Sequence, residues 1–342
     1  MKVAILDFTG VRKFPGIELM QGLGASDRAV LECCRLMPKL DHEVHLFCNT
    51  DFTGLTDGVY WHNYVPFNFA CDLLIIQRLP LYYERINAKK TILWLHDDID
   101  APVNNHIDKF LSIPDLFIVL SNYHKERLIN IGVDENKIII LPEGIDGRID
   151  RFGSQEDRGK TLVMASAPFK SLPLLMKLWP EIKEAVPDVR LTIIGSMKLY
   201  QASDYDEHFK KLYDIMKLDP QITHYELLSN AATVELIGKH AIMCYPNIFR
   251  ETFCLSAMEA ISQNTPVITS ALGALPETVG DCGVCIEGDP KTTAWQYSFV
   301  QAIIFYLTNK EKLKELRIHC TNRNIHTWND IIKEILTHGA TR

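Results

Sequence analysis

The chain has no excess of positive charge: 36 Lys and Arg stand against 43 Asp and Glu, a formal net charge of −7, with an isoelectric point near 6.0. This excludes the broad basic face with which a non-specific nucleic-acid binder neutralises phosphates, so any anion site has to be local. No run approaches the roughly 18 uninterrupted apolar residues that suggest a membrane-spanning helix. The opening MKVAILDF has neither a long apolar leader core nor a small-residue cleavage site; it reads as a first buried strand of a soluble, unprocessed, cytoplasmic protein. Low-complexity segments and heptad runs are missing too. Cysteine is not scarce, at nine residues. Cys33, Cys34, Cys48, Cys71 and Cys254 nevertheless fall inside apolar periodic segments, as reduced core residues do, and not in the spacing of a disulfide framework. Cys282 and Cys285 form a single CxxC with no second ligand pair nearby, and a structural zinc needs four ligands, so no metal is assigned.

What the 342 residues do hold is 47% hydrophobic and 23% charged, enough for two cores. Near-continuous Val/Ile/Leu runs at Val3–Asp7, Glu43–Phe47, Leu73–Gln77, Thr91–Leu95, Leu116–Leu120 and Ile138–Leu141 predict parallel strands covered on both faces. Helical periods separate them, at Ser26–Met37 and at Ser121–Ile131, the latter opened by a Ser cap and closed by Gly132. After a polar link from Gly147 to Gly159 the alternation restarts: strand Thr161–Ala165, helix Leu172–Val186, strand Arg190–Ile194, helices Tyr205–Lys217 and Ala231–Lys239, strand Ala241–Tyr245 and strand Pro266–Ser270. Two α/β, doubly wound halves are therefore expected, with ligands at the carboxyl ends of strands and in a cleft between halves. The last helical periods are Trp295–Leu307, Lys310–Cys320 and Thr327–His338, the final one placed to brace the first half; Trp179, Trp295 and Trp328 read as core anchors.

The segment FRETFCLSAMEAISQNTPVITSALGALPETVG, Phe249 to Gly280, carries the most chemistry. Glu251 precedes a helix expected to start near Cys254, whose unpaired amides at Cys254, Leu255 and Ser256 would face an anion such as a diphosphate. Glu259 lies inside that helix, so the two carboxylates offer acceptors to two hydroxyl-bearing groups, a hexose and a ribose for example. For any isolated Glu pair, solvated helix faces are the commoner explanation; the flanking apolar run and the strand after it count against that here.

Four landmarks then occur in order: Gly22-Leu23-Gly24 after the first strand, His96 at a strand end, Leu141-Pro142-Glu143-Gly144-Ile145-Asp146, and the Glu251 to Glu259 motif. With these, nearly the whole chain resembles the retaining glycosyltransferases of family four, the glycosyltransferases group 1 type. Ser166-Ala167-Pro168-Phe169-Lys170-Ser171-Leu172 resembles the Ser-x-Pro-x-Arg/Lys element of a bacterial-type subgroup. The resemblance implies the GT-B fold, two Rossmann-like domains facing across a cleft. Their expected extents are residues 1–147 on the acceptor side and 148–324 on the nucleotide-sugar side, with a helix at about 325–342 packing back on the first.

It further implies that Glu259 binds the ribose hydroxyls and Glu251 the transferred sugar. The amides of Phe253 to Ser256 would hold sugar hydroxyls and the β-phosphate, Lys170 would neutralise the diphosphate, and His96 would contact the sugar near the reacting carbon. Gly24 and Ser166 are placed beside the donor, and Ser26 is read as a helix cap. Catalytic roles thus fall on Glu251, His96 and Lys170. The donor is a nucleoside-diphosphate sugar, with UDP the commoner base and GDP the other main candidate. The acceptor is a glycan or another hydroxyl compound, and no metal, separate cofactor or nucleic acid takes part; weak contact with a membrane surface is compatible with this.

The chain departs from the family pattern where Met164, Ala165 and Ser166 stand in place of an Arg before the lysine; Arg250, Arg148 or Arg151 could supply the second charge. Asp98-Ile99-Asp100 spells the DxD of metal-dependent transferases, but Asp204-Tyr205-Asp206 repeats it in a helical stretch, so the pattern is cheap in an acidic chain. A nucleotide-sugar 2-epimerase and a non-catalytic sugar-nucleotide-binding protein share the architecture and remain the alternatives.

Overall fold

The structure, a computed structural model, describes residues 1–100, 111–149 and 157–340. It divides into a unit of Met1–Gly144 with His326–Arg342, called unit 1 here, and a unit of Ile145–Ile325, unit 2.

Unit 1 runs β1 Lys2–Asp7, α1 Ile17–Met20, α2 Ala25–Leu36, β2 Glu43–Cys48, β3 Gly54–Thr56, β4 Val59–His62, β5 Phe69–Gln77, β6 Ile86–Trp94, β7 Leu116–Val119, α3 Asn122–Asn130 and β8 Ile138–Ile140. The strands form one sheet in the order β3-β4-β2-β1-β5-β6-β7-β8. Every pairing is parallel except β3 with β4. The predicted apolar runs are these strands, because Val3–Leu6, Leu73–Ile76 and Ile92–Trp94 are all buried, as a sheet covered on both faces requires. The β3–β4 pair went unpredicted: Gly54-Leu55-Thr56 and Val59-Tyr60-Trp61-His62 are short, and only Val59 and Trp61 face inward. Ser121 caps α3 as expected, its hydroxyl accepting from the His124 amide at 3.1 Å. Ser26 is not a cap. Gly24 holds the N-cap position of α2 without a side-chain bond, and Ser26 lies inside the first turn, where its carbonyl accepts from Gln77 Nε2 at 2.8 Å.

Unit 2 runs β9 Thr161–Ala165, α4 Pro168–Ala185, β10 Arg190–Ile194, α5 Lys210–Leu218, β11 Ile222–Tyr225, α6 Asn230–Ile237, β12 Ile242–Tyr245, α7 Leu255–Ser262, β13 Val267–Ser270, α8 Leu275–Val279, β14 Gly283–Ile286, α9 Thr293–Thr308 and α10 Lys310–Asn322. Its sheet, β11-β10-β9-β12-β13-β14, is wholly parallel. Strands β11 and β14 escape a sequence reading because they are edge strands, half-buried throughout or alternately exposed, and lack a continuous apolar run. Helix α4 begins four residues earlier than its apolar period suggests. Pro168, at the first helical position, has a φ already fixed for the helix and no N–H to lose there.

The chain then returns to unit 1 as α11, Trp328–Ala340, burying Trp328, Ile331, Ile332, Ile335 and Leu336 beside α2 and β6. Gly144 permits the approach, since a Cβ there would lie 2.4 Å from the Trp328 amide nitrogen. Trp179 and Trp295 are core residues of unit 2, and Trp328 is one of unit 1.

Candidate active site

In unit 2 the candidate residues sit on the carboxyl side of adjacent strands. Ser166 follows β9, Lys170 stands on the first turn of α4, Tyr245 ends β12, and Glu251 lies in the loop that leads to α7. A cation on the first turn of a helix opposes the dipole, which favours negative charge there. What holds Lys170 is Glu251: its Nζ donates to Oε1 at 2.9 Å and to Oε2 at 3.1 Å. The ammonium also lies 4.7 Å from the centre of the Phe249 ring. Burial disfavours the charged lysine, but the Glu251 carboxylate outweighs it, so the ammonium is held above its ordinary range.

Glu251 is itself buried and receives a further bond, from the Tyr245 hydroxyl at 2.7 Å. The Ser166 hydroxyl donates to the other side of that phenol, at 3.3 Å. Burial first, and then the Glu251 charge, push the Tyr245 phenol well above its usual value, so it stays protonated. The backbone of Glu251 is pinned as well: it bridges to Gly273, and its carbonyl accepts from the Ala274 amide at 2.7 Å. Gly273 has φ +63°, and a Cβ there would lie 2.3 Å from the Glu251 carbonyl oxygen.

Helix α7 starts at Leu255, with Cys254 as its N-cap in the left-handed region at φ 81°. A non-glycine residue in that conformation is unusual and costs on the order of 1–2 kcal/mol. The Thr278 hydroxyl donates to the Phe253 carbonyl and ties the preceding residue to α8. Ala257 and Met258 donate to the Cys254 carbonyl at 3.1 and 3.3 Å, so the amides of Leu255 and Ser256 come before the first intrahelical donors, at the open positive end. Glu259 is buried one turn further along α7. The structure thus links Ser166, Lys170 and Glu251 through hydrogen bonds within unit 2, and places Phe253, Cys254, Leu255, Ser256 and Glu259 on the loop and helix that follow Glu251. Tyr245, which sequence reasoning missed, belongs with them. Its only signal was the end of an apolar strand six residues before Glu251, where an aromatic residue reads as core.

His96 and Gly24 lie in unit 1. His96 is buried between Gln77 Nε2, 2.8 Å from its Nε2, and Glu143 Oε1, 3.0 Å from its Nδ1. An amide N–H pointing at Nε2 sets the tautomer: Nε2 accepts, and the Nδ1 hydrogen goes to Glu143. A second constellation, not foreseen, lies beyond β1. Lys13 is fully buried, with Asp7 and Asp27 each 2.6 Å away. It explains Asp27 in the glycine segment, where a dinucleotide fingerprint would need Gly or Ala.

The DxD carboxylates are engaged elsewhere. Asp98 accepts from Tyr123 at 2.6 Å and Arg127 at 3.0 Å, and Asp100 pairs with Arg127. Asp206 accepts from the Met197 amide and the Tyr213 hydroxyl. Of the three arginines that could stand in for the missing one, Arg148 chelates Asp146 at 2.8 and 2.6 Å, and Arg151 lies outside the described residues. Arg250 is exposed next to Glu251 and, among the described residues, pairs with no carboxylate. Glu277, which follows in the same segment, is an exposed residue on the short helix α8.

Residues 148–325 match the family described as Glycosyl transferases group 1, and the chain belongs to that family. An MMP alpha-(1->4)-mannosyltransferase of Mycolicibacterium hassiacum is 26% identical over 175 residues, covering 51% of this chain and 41% of the relative. A D-inositol 3-phosphate glycosyltransferase of Arthrobacter is 26% identical over 193 residues, covering 56% and 40%. The chain thus spans 36% to 59% of the length of the curated relatives it matches. Among solved structures, Anabaena HepE in complex with UDP and glucose superposes with a TM-score of 0.71 at 15% identity, covering 100% of both chains. The fold is accordingly GT-B, built of two Rossmann-like units.

Proposed function

We propose that this protein is a retaining glycosyltransferase that moves a sugar from a nucleoside-diphosphate sugar to a hydroxyl acceptor. The observation that carries the reading is Lys170, a half-buried cation placed against the helix dipole and held by Glu251 three residues before the α7 cap. Such a cation is costly for structure alone and suits a site that receives a diphosphate. The α7 amides and Lys170 would neutralise the phosphates of the leaving group, with Arg250 as the second cation. Glu251 would take hydroxyls of the sugar and Glu259 those of the ribose. Retention would then proceed by attack on the face the diphosphate leaves from, with the departing phosphate accepting the acceptor's proton.

We assign the phosphate charge to lysine and amides in place of a metal because the DxD carboxylates are committed to Arg127 and Tyr123. The acceptor is assigned to unit 1. The HepE complex with UDP and glucose and the pneumococcal GtfA complex with UDP and GlcNAc support a uridine donor.

Thermal-shift titration with UDP, GDP and ADP, followed by a donor-turnover assay, tests this. Glu259→Ala and Arg250→Ala are expected to weaken nucleotide binding by about tenfold, the value of about one hydrogen bond to a charged group. Glu251→Ala is expected to leave nucleotide affinity near wild type and lower transfer by about 100-fold. Unchanged affinity and rate in all three would remove the site assignment. Consumption of donor without any acceptor, giving an epimeric sugar nucleotide, would turn the reading into an epimerase.

A further inference from the structure

Tyr245 contributes a hydroxyl where a buried β-strand residue needs none. It is fully buried at the end of β12, inside an apolar core, and a phenylalanine would fill the same space. A buried hydroxyl in such a place is costly unless it is paired. Its two partners are both at the donor site: the phenol donates to Glu251 Oε1 at 2.7 Å and accepts from the Ser166 hydroxyl at 3.3 Å.

The three contacts on Glu251 are not equivalent. Lys170 leans on both carboxylate oxygens almost equally, at 2.9 and 3.1 Å, and so does not distinguish them. Tyr245 bonds to Oε1 alone. The lysine is also the group that the donor's diphosphate, on the reading of the site given above, draws toward itself. The phenol is neutral, fixed by its strand, and gains nothing from an incoming anion.

We propose that Tyr245 is a positioning residue for the donor sugar: it fixes the carboxylate of Glu251 when Lys170 turns to the diphosphate, so that Oε2 is presented to the sugar hydroxyls. The inference rests on the donor-site reading of Glu251 and Lys170. Its role is assigned to the sugar half of the donor, because the hydrogen bonds of its hydroxyl go to Glu251 and Ser166 and not to the α7 amides.

The proposal separates two affinities that a loss of folding or of general packing would lower together. The full-length chain is titrated with UDP, GDP and ADP and with UDP-glucose, GDP-mannose and ADP-glucose. The ratio of the two dissociation constants for a matched pair measures what the sugar adds. Tyr245→Phe is expected to leave the nucleoside-diphosphate constant within about twofold and to weaken the matching sugar nucleotide by about tenfold, one charge-assisted hydrogen bond's worth. In the Glu251→Ala background the same change is expected to do nothing further, since a residue acting through the Glu251 side chain has no effect once that acceptor is gone.

Equal losses in both ligands, no loss in either, or additive effects in the double variant would overturn the role of Tyr245. A wild-type chain that binds none of the six ligands would overturn the donor-site reading itself, and this inference with it. Replacement of Tyr245 by 3-fluorotyrosine keeps ring and hydroxyl and serves if Tyr245→Phe does not fold. Its stronger donor is expected to change the sugar ratio by at least about twofold at constant nucleotide affinity, and an unchanged ratio would count against the proposal.

Discussion

His124 shows how burial can dominate a side chain's charge. It is completely buried on α3, and burial lowers its pKa to about 4 in spite of the nearby Asp98 and Asp97 carboxylates, which act the other way. In the unfolded chain the imidazole titrates near 6.5. Above that value both states are neutral and its contribution is fully present. As pH falls from about 6.5 to about 4 the unfolded state takes up a proton that the folded state does not, and on the order of 3 kcal/mol is lost. His124→Gln is therefore expected to flatten the fall of melting temperature across that window; an unchanged slope would show that another group carries it. Lys170 has the opposite sign. Its pKa is raised above the unfolded value of about 10.4, so the ion pair with Glu251 is complete at neutral pH and begins to lose its contribution only as alkali deprotonates the unfolded lysine. Donor binding across pH 6–9 should accordingly show no limb from this residue.

At the scale of elements, the loop between β12 and α7 is held by main-chain geometry, and Gly273 is its tightest point. Alanine there would meet the Glu251 backbone at 2.3 Å in a left-handed conformation, and Gly273→Ala is expected to cost about 2–4 kcal/mol. The loss should appear both as a lower melting temperature and as weaker sugar-nucleotide binding; a variant with wild-type values in both would show that the loop can shift without harm. The alternating strands and helices were legible because parallel strands buried on both faces must be apolar throughout, as in Val3–Leu6 and Ile242–Tyr245. Edge elements such as β3, β4, β11 and β14 carry only part of that pattern and were not. In the candidate site, Glu251 and Glu259 could be picked out because charge inside an apolar setting stands out in a sequence, and Lys170 through its place in the family resemblance. Tyr245, Lys13 and Gln77 could not. Lys13 and Gln77 acquire their meaning from partners farther along the chain, Asp27 for Lys13 and His96 for Gln77, 19 residues away, while Tyr245 has the look of a strand-end core residue until its bond to Glu251 is seen. No local spacing records such a contact. The start of α4 was missed for a local reason, since Pro168 begins a helix before its apolar stripe does.

For the whole molecule, the segment that matters most to unit 1 comes last in the chain. Trp328, Ile331, Ile332, Ile335 and Leu336 of α11 are buried against that unit. At about 1.5–3 kcal/mol per large apolar side chain, five of them amount to roughly 8–15 kcal/mol as an upper estimate. This equals the entire net stability of a typical domain, about 5–15 kcal/mol. Ending the chain after Ile325 is thus expected to unfold unit 1 while leaving unit 2, a continuous stretch of residues, able to melt cooperatively; two retained transitions in calorimetry would contradict this. The same feature bears on synthesis. Domains made on a ribosome usually fold in the order in which they emerge. Here the first 144 residues come out early but lack the helix that completes their core, while residues 145–325 can close on themselves first. The newborn N-terminal sheet, with the apolar surface meant for α11 still bare, must then remain out of aggregates for as long as it takes to translate the following 180 or so residues, so the chain's dependence on chaperones should be decided by its final helix.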